Sequence, residues 1–153
     1  MFMTIRAVDR SRKAERGVAL VQFAFLTPIL VMLFLGTWSI GYSCYIYSVL
    51  EEDVRAGARY ASTITYDASN TSAYTTAVQN LVTYGDPGGG TQAIVPGLQT
   101  SQVNVSVSPS LGQPTSVTVS ISGYQLLTPW MARFSLSNKP WVTLPYLGNY
   151  VPL

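Results

Sequence analysis

Arg16–Gly17–Val18 marks the point where a basic leader gives way to a long uncharged run. A bond so placed is either a border of the folded protein or a bond that a protease cuts. Five residues beyond the glycine a single amide, Gln22, stands among Val18, Ala19, Leu20, Val21 and Phe23, and Pro28 follows six residues later. A polar side chain in an apolar helix can grip another helix by hydrogen bonding. Pro28 removes one helix hydrogen bond and predicts a kink, although membrane helices also tolerate such prolines without a role.

Elsewhere the ingredients of catalysis are sparse. The chain has no histidine, which removes the commonest general base and the commonest metal ligand together. Cys44 is single, so neither an intrachain disulfide nor a cysteine-based metal cluster is expected. Asp67 and Asp86 are isolated acids in loop-like contexts. "DPGGG" (86–90) lacks the Gly-Lys-Ser/Thr that would make it a phosphate loop. The tripeptides "NTS" (70–72) and "NVS" (104–106) fit the glycosylation pattern but are short enough to arise by chance. The expectation is a non-enzyme with no catalytic residues, no metal site and no cofactor.

Charge placement narrows the class further. Only 10% of the 153 residues are charged and 48% are hydrophobic, against roughly 25% charged in an average soluble chain. The leader holds Arg6, Arg10, Arg12, Lys13 and Arg16 against Asp9 and Glu15, a balance of +3, while everything after Gly17 sums to −1. The basic surface therefore does not belong to the folded domain, which argues against nucleic acid as a partner. Positive charge flanking an apolar run is instead the mark of a segment held on the cytoplasmic side of a membrane.

The elements that must position these residues follow from spacing. No formal charge occurs from Gly17 to Leu50, enough for a helix of roughly 50 Å where a bilayer core needs about 20 residues. Val18 to Leu35 is its most apolar part. Trp38, Tyr42, Tyr45 and Tyr47 then suit a membrane interface. The helix is expected to continue, now amphipathic, through "EEDVRAGARYAS" (51–62) to residue 66. Glu51 and Arg55 stand four apart, as do Arg55 and Arg59, so Glu51–Arg55 is a helix-face pair. Val54, Ala58 and Ala61 form a stripe at helical spacing, and Gly57 and Ala58 admit a closely packed neighbour. Arg55, Gly57, Ala58 and Arg59 are thus the candidate helix–domain packing residues. A second helix is predicted over 70–84, capped by Asn70 or Thr71, with Ala73, Ala77, Leu81 and Val82 on one side and Gly85 at its end.

Past the flexible "GDPGGG" (85–90) the period becomes two. Val103, Val105 and Val107 alternate with polar residues, "PSLGQP" (109–114) supplies a turn, and Val117, Val119 and Ile121 alternate again. This predicts a β-hairpin with one buried face. Residues 124–136, broken by Pro129, read as a loop crossing the sheet or a short helix. "WVTLPYL" (141–147) reads as a third strand weakened by Pro145. Because a hairpin alone is marginal in water, the strands and the membrane-proximal helix should cover each other. The expected fold is α+β, with three parts: a leader, 1–17; a long hydrophobic then amphipathic helix, 18–66, transmembrane in its first half; and a small extracytoplasmic domain, 67–153, with a short helix and an antiparallel sheet. The region after the apolar run, "LGTWSIGYSCYIY", offers no small-residue signal-peptidase site, so the anchor is expected to be retained.

"ERGVALVQFAFLTPIL" (15–30) and "DVRAGARYAS" (53–62) resemble the TadE-like family, minor pilins of the tight-adherence (Tad) branch of type IV pili, and "SVTVSISGYQLLTP" (116–129) is similar more loosely. The resemblance implies cleavage of Gly17–Val18 by a prepilin peptidase, a membrane aspartic protease, on the cytoplasmic face. It implies other pilin subunits, pilus assembly proteins and membrane lipid as partners. It also implies a location in the bacterial inner membrane with the C-terminal domain outside, or in an extracellular pilus. Gln22, Phe23 and Pro28 fall at the family's Glu-Phe-Ala and following proline, so they are the assembly residues that the resemblance implies. Gln22 departs from the family's glutamate, whose carboxylate is held to neutralise the amine of a neighbouring subunit. The glutamine reads either as a tolerated near-isostere or as the mark of a minor, initiating or tip-located subunit. Two other readings stay open: an uncleaved single-pass scaffold of the pilus or secretion machinery, and a surface adhesin acting through its Ser/Thr/Tyr-rich domain.

Overall fold

Between Met3 and Thr63 the only residue that opposes a helix outright is Pro28, and the chain there is one α-helix of 61 residues, α1. The computed structural model describes residues 3–110, 113–126 and 134–152, with side chains from Gly17 onward apart from Phe134. Two compact units divide between Gly41 and Tyr42.

In the first unit most of the described apolar side chains of α1, from Val18 onward, have no cover. Leu20, Phe23, Phe25, Met32 and Phe34 are each more than half exposed. The most apolar window of the helix has a mean hydropathy of 2.5 and is 0% buried, which makes α1 long and apolar enough to cross a membrane. Local contacts supplement the helix ladder. The Thr27 and Thr37 hydroxyls donate to the carbonyls of Phe23 and Leu33 one turn earlier, at 2.7 and 3.0 Å. Phe34 and Trp38, four residues apart, stack at 6.4 Å.

In the second unit the same helix acquires a buried face. Ile46, Leu50, Val54, Ala58 and Ala61 recur every three or four residues and are buried. After α1 comes a two-residue strand, β1 (Tyr66–Asp67), and then a second helix, α2 (Thr71–Tyr84). The Asn70 side-chain oxygen Oδ1 caps α2 by accepting from the Ala73 amide, and Gly85 ends it in a left-handed conformation with its N–H on the Leu81 carbonyl. The buried face of α2 is Tyr74, Val78 and Val82, whereas Ala73 is exposed and Ala77 and Leu81 are half-buried. The expected face was displaced by about one residue because the larger Tyr74 and Val78, rather than the alanines, supply the apolar area.

Strands β2 (Val103–Ser110) and β3 (Gln113–Ile121) form the expected hairpin. Val103 pairs with Ile121, Val105 with Val119 and Val107 with Val117, and a register shift at Ser108/Pro109 brings Pro109 opposite Pro114. Its tip, Leu111–Gly112, lies outside the described residues. The third strand, β6 (Trp141–Pro145), pairs antiparallel with β3 in the order β2-β3-β6, with Pro145 at its end where no interior ladder bond is lost. Residues 124–136 are neither a plain crossing loop nor a helix at their ends, since β4 (Gln125–Leu126) and β5 (Phe134–Ser135) pair antiparallel. Their middle, 127–133, lies outside the described residues. The final pair was not anticipated: β7 (Tyr150–Val151) runs parallel to β1.

One core joins these elements. Leu50, Val54, Ala58 and Ala61 of α1, Val78 and Val82 of α2, and Val117, Val119 and Ile121 of β3 are buried in a single hydrophobic cluster. The strands and the membrane-proximal helix thus share one core, and the fold is α+β.

Candidate processing and assembly segment

Gly17 lies inside α1, where glycine costs roughly 1 kcal/mol relative to alanine. A Cβ added there would meet nothing within 4 Å, so packing does not demand a glycine. Val18, the residue after the candidate bond, is exposed, and the helix runs through the bond without a break. Gln22 lies one turn beyond Val18 on the same helix, also exposed, and Phe23 is 67% exposed. Pro28 deprives the Ala24 carbonyl of its helical donor, and Thr27 beside it bonds back to the Phe23 carbonyl. Both devices bend helices. Sequence and structure therefore place two helix-bending residues within one turn of each other in the apolar part of α1.

The later residues of the segment divide between two sides of α1. Gly57 and Ala58 are buried and Arg55 and Arg59 are exposed. A methyl at Gly57 would overlap the Val82 side chain, so α1 and α2 approach there closer than any side chain allows. The Arg55 guanidinium pairs with the Glu51 carboxylate one turn back, and both are well exposed. Such a pair contributes only about 0.3–0.5 kcal/mol. The Arg59 guanidinium has no partner among the described residues, while its carbonyl accepts from the Ser62 hydroxyl at 2.8 Å. Arg55 and Arg59, together with Ser48, Glu51, Glu52 and Ala56, border a surface hollow of about 440 Å³.

Asp53 escaped notice in the sequence. It lies one turn before Gly57, and its Oδ2 is buried without a hydrogen-bond partner. Burial first, and the neighbouring Glu52 second, push its carboxyl up to about 6. The signal available in the sequence was its spacing: in "EEDVRAG" only the third acid falls four residues before the glycine.

The ending of α1 was also not legible. The Ala61 carbonyl accepts from the buried Tyr74 hydroxyl, the Ser62 carbonyl from the Leu147 amide, and the Ile64 carbonyl from the Tyr146 hydroxyl. The last carbonyls of a helix have no intrahelical donor, and here residues far along the chain supply them.

Among the described residues no group of three or more His, Cys, Asp or Glu side chains could hold a metal ion. Asp86 accepts from the Gly88 amide at 2.7 Å in a local turn, and Asp67 accepts from Ser69. The Ser69 hydroxyl also donates to Asp67, at 2.6 Å in the same local turn, and neither acid meets a second acid in these contacts. Comparison with known proteins gives one kind of match. No curated protein and no solved structure matches the chain. A family model described as TadE-like protein does match, over residues 17–59, from the candidate cleavage bond to the exposed Arg59, so the match lies on the helix that is long and apolar enough to cross a membrane.

Proposed function

We propose that this chain is a minor pilin-like structural subunit that takes part in the assembly, initiation or tip of a Tad-type adhesive pilus. The reading holds that a prepilin peptidase cuts Gly17–Val18, that residues 18–41 pass from the bilayer into a helix bundle of other pilin subunits, and that residues 42–153 lie outside the cytoplasm. The observation that carries it is the uncovered apolar helix bearing the family segment: 0% of its most apolar window is buried. So much bare apolar area demands either lipid or other helices. Gly17 supports processing, because it sits in a helix with open space around it and no packing reason to be glycine. In this reading Gln22 accepts a hydrogen bond from the amine left on a neighbouring subunit while bringing no charge.

Continuity of the helix across Gly17–Val18 favours one competing reading, an uncleaved inner-membrane scaffold. A single measurement separates the two. Intact mass of the protein purified from cells that carry the assembly system should give an N-terminus at Val18, with the protein present in sheared surface material. An N-terminus at Met1 with the protein confined to the inner membrane would leave only the scaffold.

A further inference from the structure

The outward side of the three-stranded sheet has a composition unlike most solvent-facing sheets. Its middle row is Ser106, Thr118 and Thr143, paired across the strands, and the row beside it is Asn104, Ser120 and Trp141. The third row, Ser108, Ser116 and Pro145, completes a grid of three strands by three positions on the side opposite Val103, Val105, Val117, Val119 and Val142. No position in the grid is charged, and residues 87–153 contain only Arg133 and Lys139 as charged side chains. Exposed strands ordinarily carry lysines and other charges. Here the Thr118 and Thr143 hydroxyls share a hydrogen bond of 2.7 Å, the Ser106 hydroxyl donates to the Thr118 carbonyl at 3.5 Å, and the Asn104 amide donates to the Ser122 hydroxyl at 2.5 Å. At the border of this array Trp141 leaves 59% of its surface exposed.

We infer that this face is a binding surface for a neutral polysaccharide. An exposed indole beside fixed, uncharged hydroxyls and amides matches the two surfaces of a pyranose, an apolar C–H face that lies on an aromatic ring and an equatorial rim that exchanges neutral hydrogen bonds. Hydroxyls that are already oriented lose little freedom on binding. The absence of charge selects a neutral polymer, since an anionic one would find no cation on the grid. The grid by itself is too small to hold a protein partner or a second copy. The grid extends roughly 14 Å along the strands and about 10 Å across them, well short of the roughly 800 Å² per partner of a stable protein interface. Successive hexoses of an extended chain can instead follow the strand spacing. Each contact is weak, so the site suits a repeating ligand. The assignment stands whether or not Gly17–Val18 is cleaved.

The test is retention of the full chain, in detergent micelles, on microcrystalline cellulose and on chitin, with heparin–agarose as the anionic control. Retention on at least one neutral polysaccharide, insensitive to added salt, is expected. Trp141→Ala should lower it about tenfold, Thr143→Val should lower it severalfold, and Trp141→Tyr should preserve most of it. Thermal unfolding establishes that each variant keeps its fold, and Thr143→Val and Trp141→Tyr carry the test if the alanine variant does not. The inference is overturned by no retention on either neutral polymer, by retention on heparin alone, or by retention that Trp141→Ala and Thr143→Val leave unchanged. A change of particle mass in Trp141→Ala by light scattering would overturn it too, by making the face a contact between copies.

Discussion

The Tyr74 hydroxyl donates to the Ala61 carbonyl at 2.6 Å, and this buried bond ties the last turn of α1 to the first turn of α2. Burial above all, with Tyr146 and Tyr66 nearby, pushes the phenol pKa above the ordinary tyrosine range, so the hydroxyl keeps its donor proton at neutral pH. Tyr74→Phe keeps the ring and strands the carbonyl. An unsatisfied buried carbonyl costs about 1–3 kcal/mol. The domain formed by 42–153 should therefore unfold at lower temperature, with no change in the helical signal of the apolar segment. Thermal unfolding of the full chain in micelles, followed by near-ultraviolet circular dichroism, reads this directly; an unmoved midpoint would mean that the carbonyl finds another donor.

What the sequence could reveal of this arrangement depended on the range of the forces involved. The hairpin was legible because period-two alternation is a local pattern, and Val103 to Val107 and Val117 to Ile121 needed only each other. The caps of α2 were legible for the same reason, as Asn70 and Gly85 act within one turn. The parallel pairing of Tyr66 with Tyr150 was not, since it closes a loop of most of the domain and is reinforced by ring contacts that spacing does not encode. The candidate segment was legible through its junctions of composition at Gly17 and through Gln22. Asp53 was hidden because its burial is created by neighbours folded against it.

At Gly57 two helices meet without a side chain between them, and Val82 occupies the space. Gly57→Leu should overpack this contact and lower stability by about 1–3 kcal/mol. Gly57→Ala should be milder, and Val82→Ala should offset it, since the two side chains compete for one volume. A double-mutant cycle in denaturant would then give a favourable coupling of at least about 0.5 kcal/mol. Strict additivity would show that the helices separate rather than share the space.

Asp53 predicts an unusual pH dependence. Its carboxyl titrates near 6 in the folded protein and near 4 when unfolded. A raised folded pKa means that the folded state binds the proton more tightly. Its contribution to stability is then fully present below about pH 4 and lost as pH rises through about 6. The second unit should gain stability on acidification from pH 7.5 to 5. Asp53→Asn should stabilise it at neutral pH by about 1 kcal/mol, a figure reduced for partial solvent screening, and should flatten the pH dependence. A wild-type midpoint that falls over the same interval, with Asp53→Asn unchanged, would contradict the assignment.

Gly17 separates packing from processing because the two roles predict opposite responses to the same substitution. If the glycine served only the helix, a larger side chain would be harmless, since among the described residues nothing beyond its own helix turn lies within 4 Å of the position that its Cβ would take. Gly17→Leu should indeed strengthen the local helix by roughly 0.5–1 kcal/mol, because glycine is a poor helix former and leucine a good one. A peptidase must instead accommodate the residue before the cut bond in an extended conformation, which glycine adopts at little cost and a well-formed helix resists. Gly17→Leu is therefore expected to leave the chain folded and membrane-bound but with its N-terminus at Met1, while the wild type begins at Val18. Gly17→Ala should be cut more slowly. Intact mass of all three proteins from the same cells gives the answer, and equal processing of the leucine variant would place the cut, if there is one, at another bond.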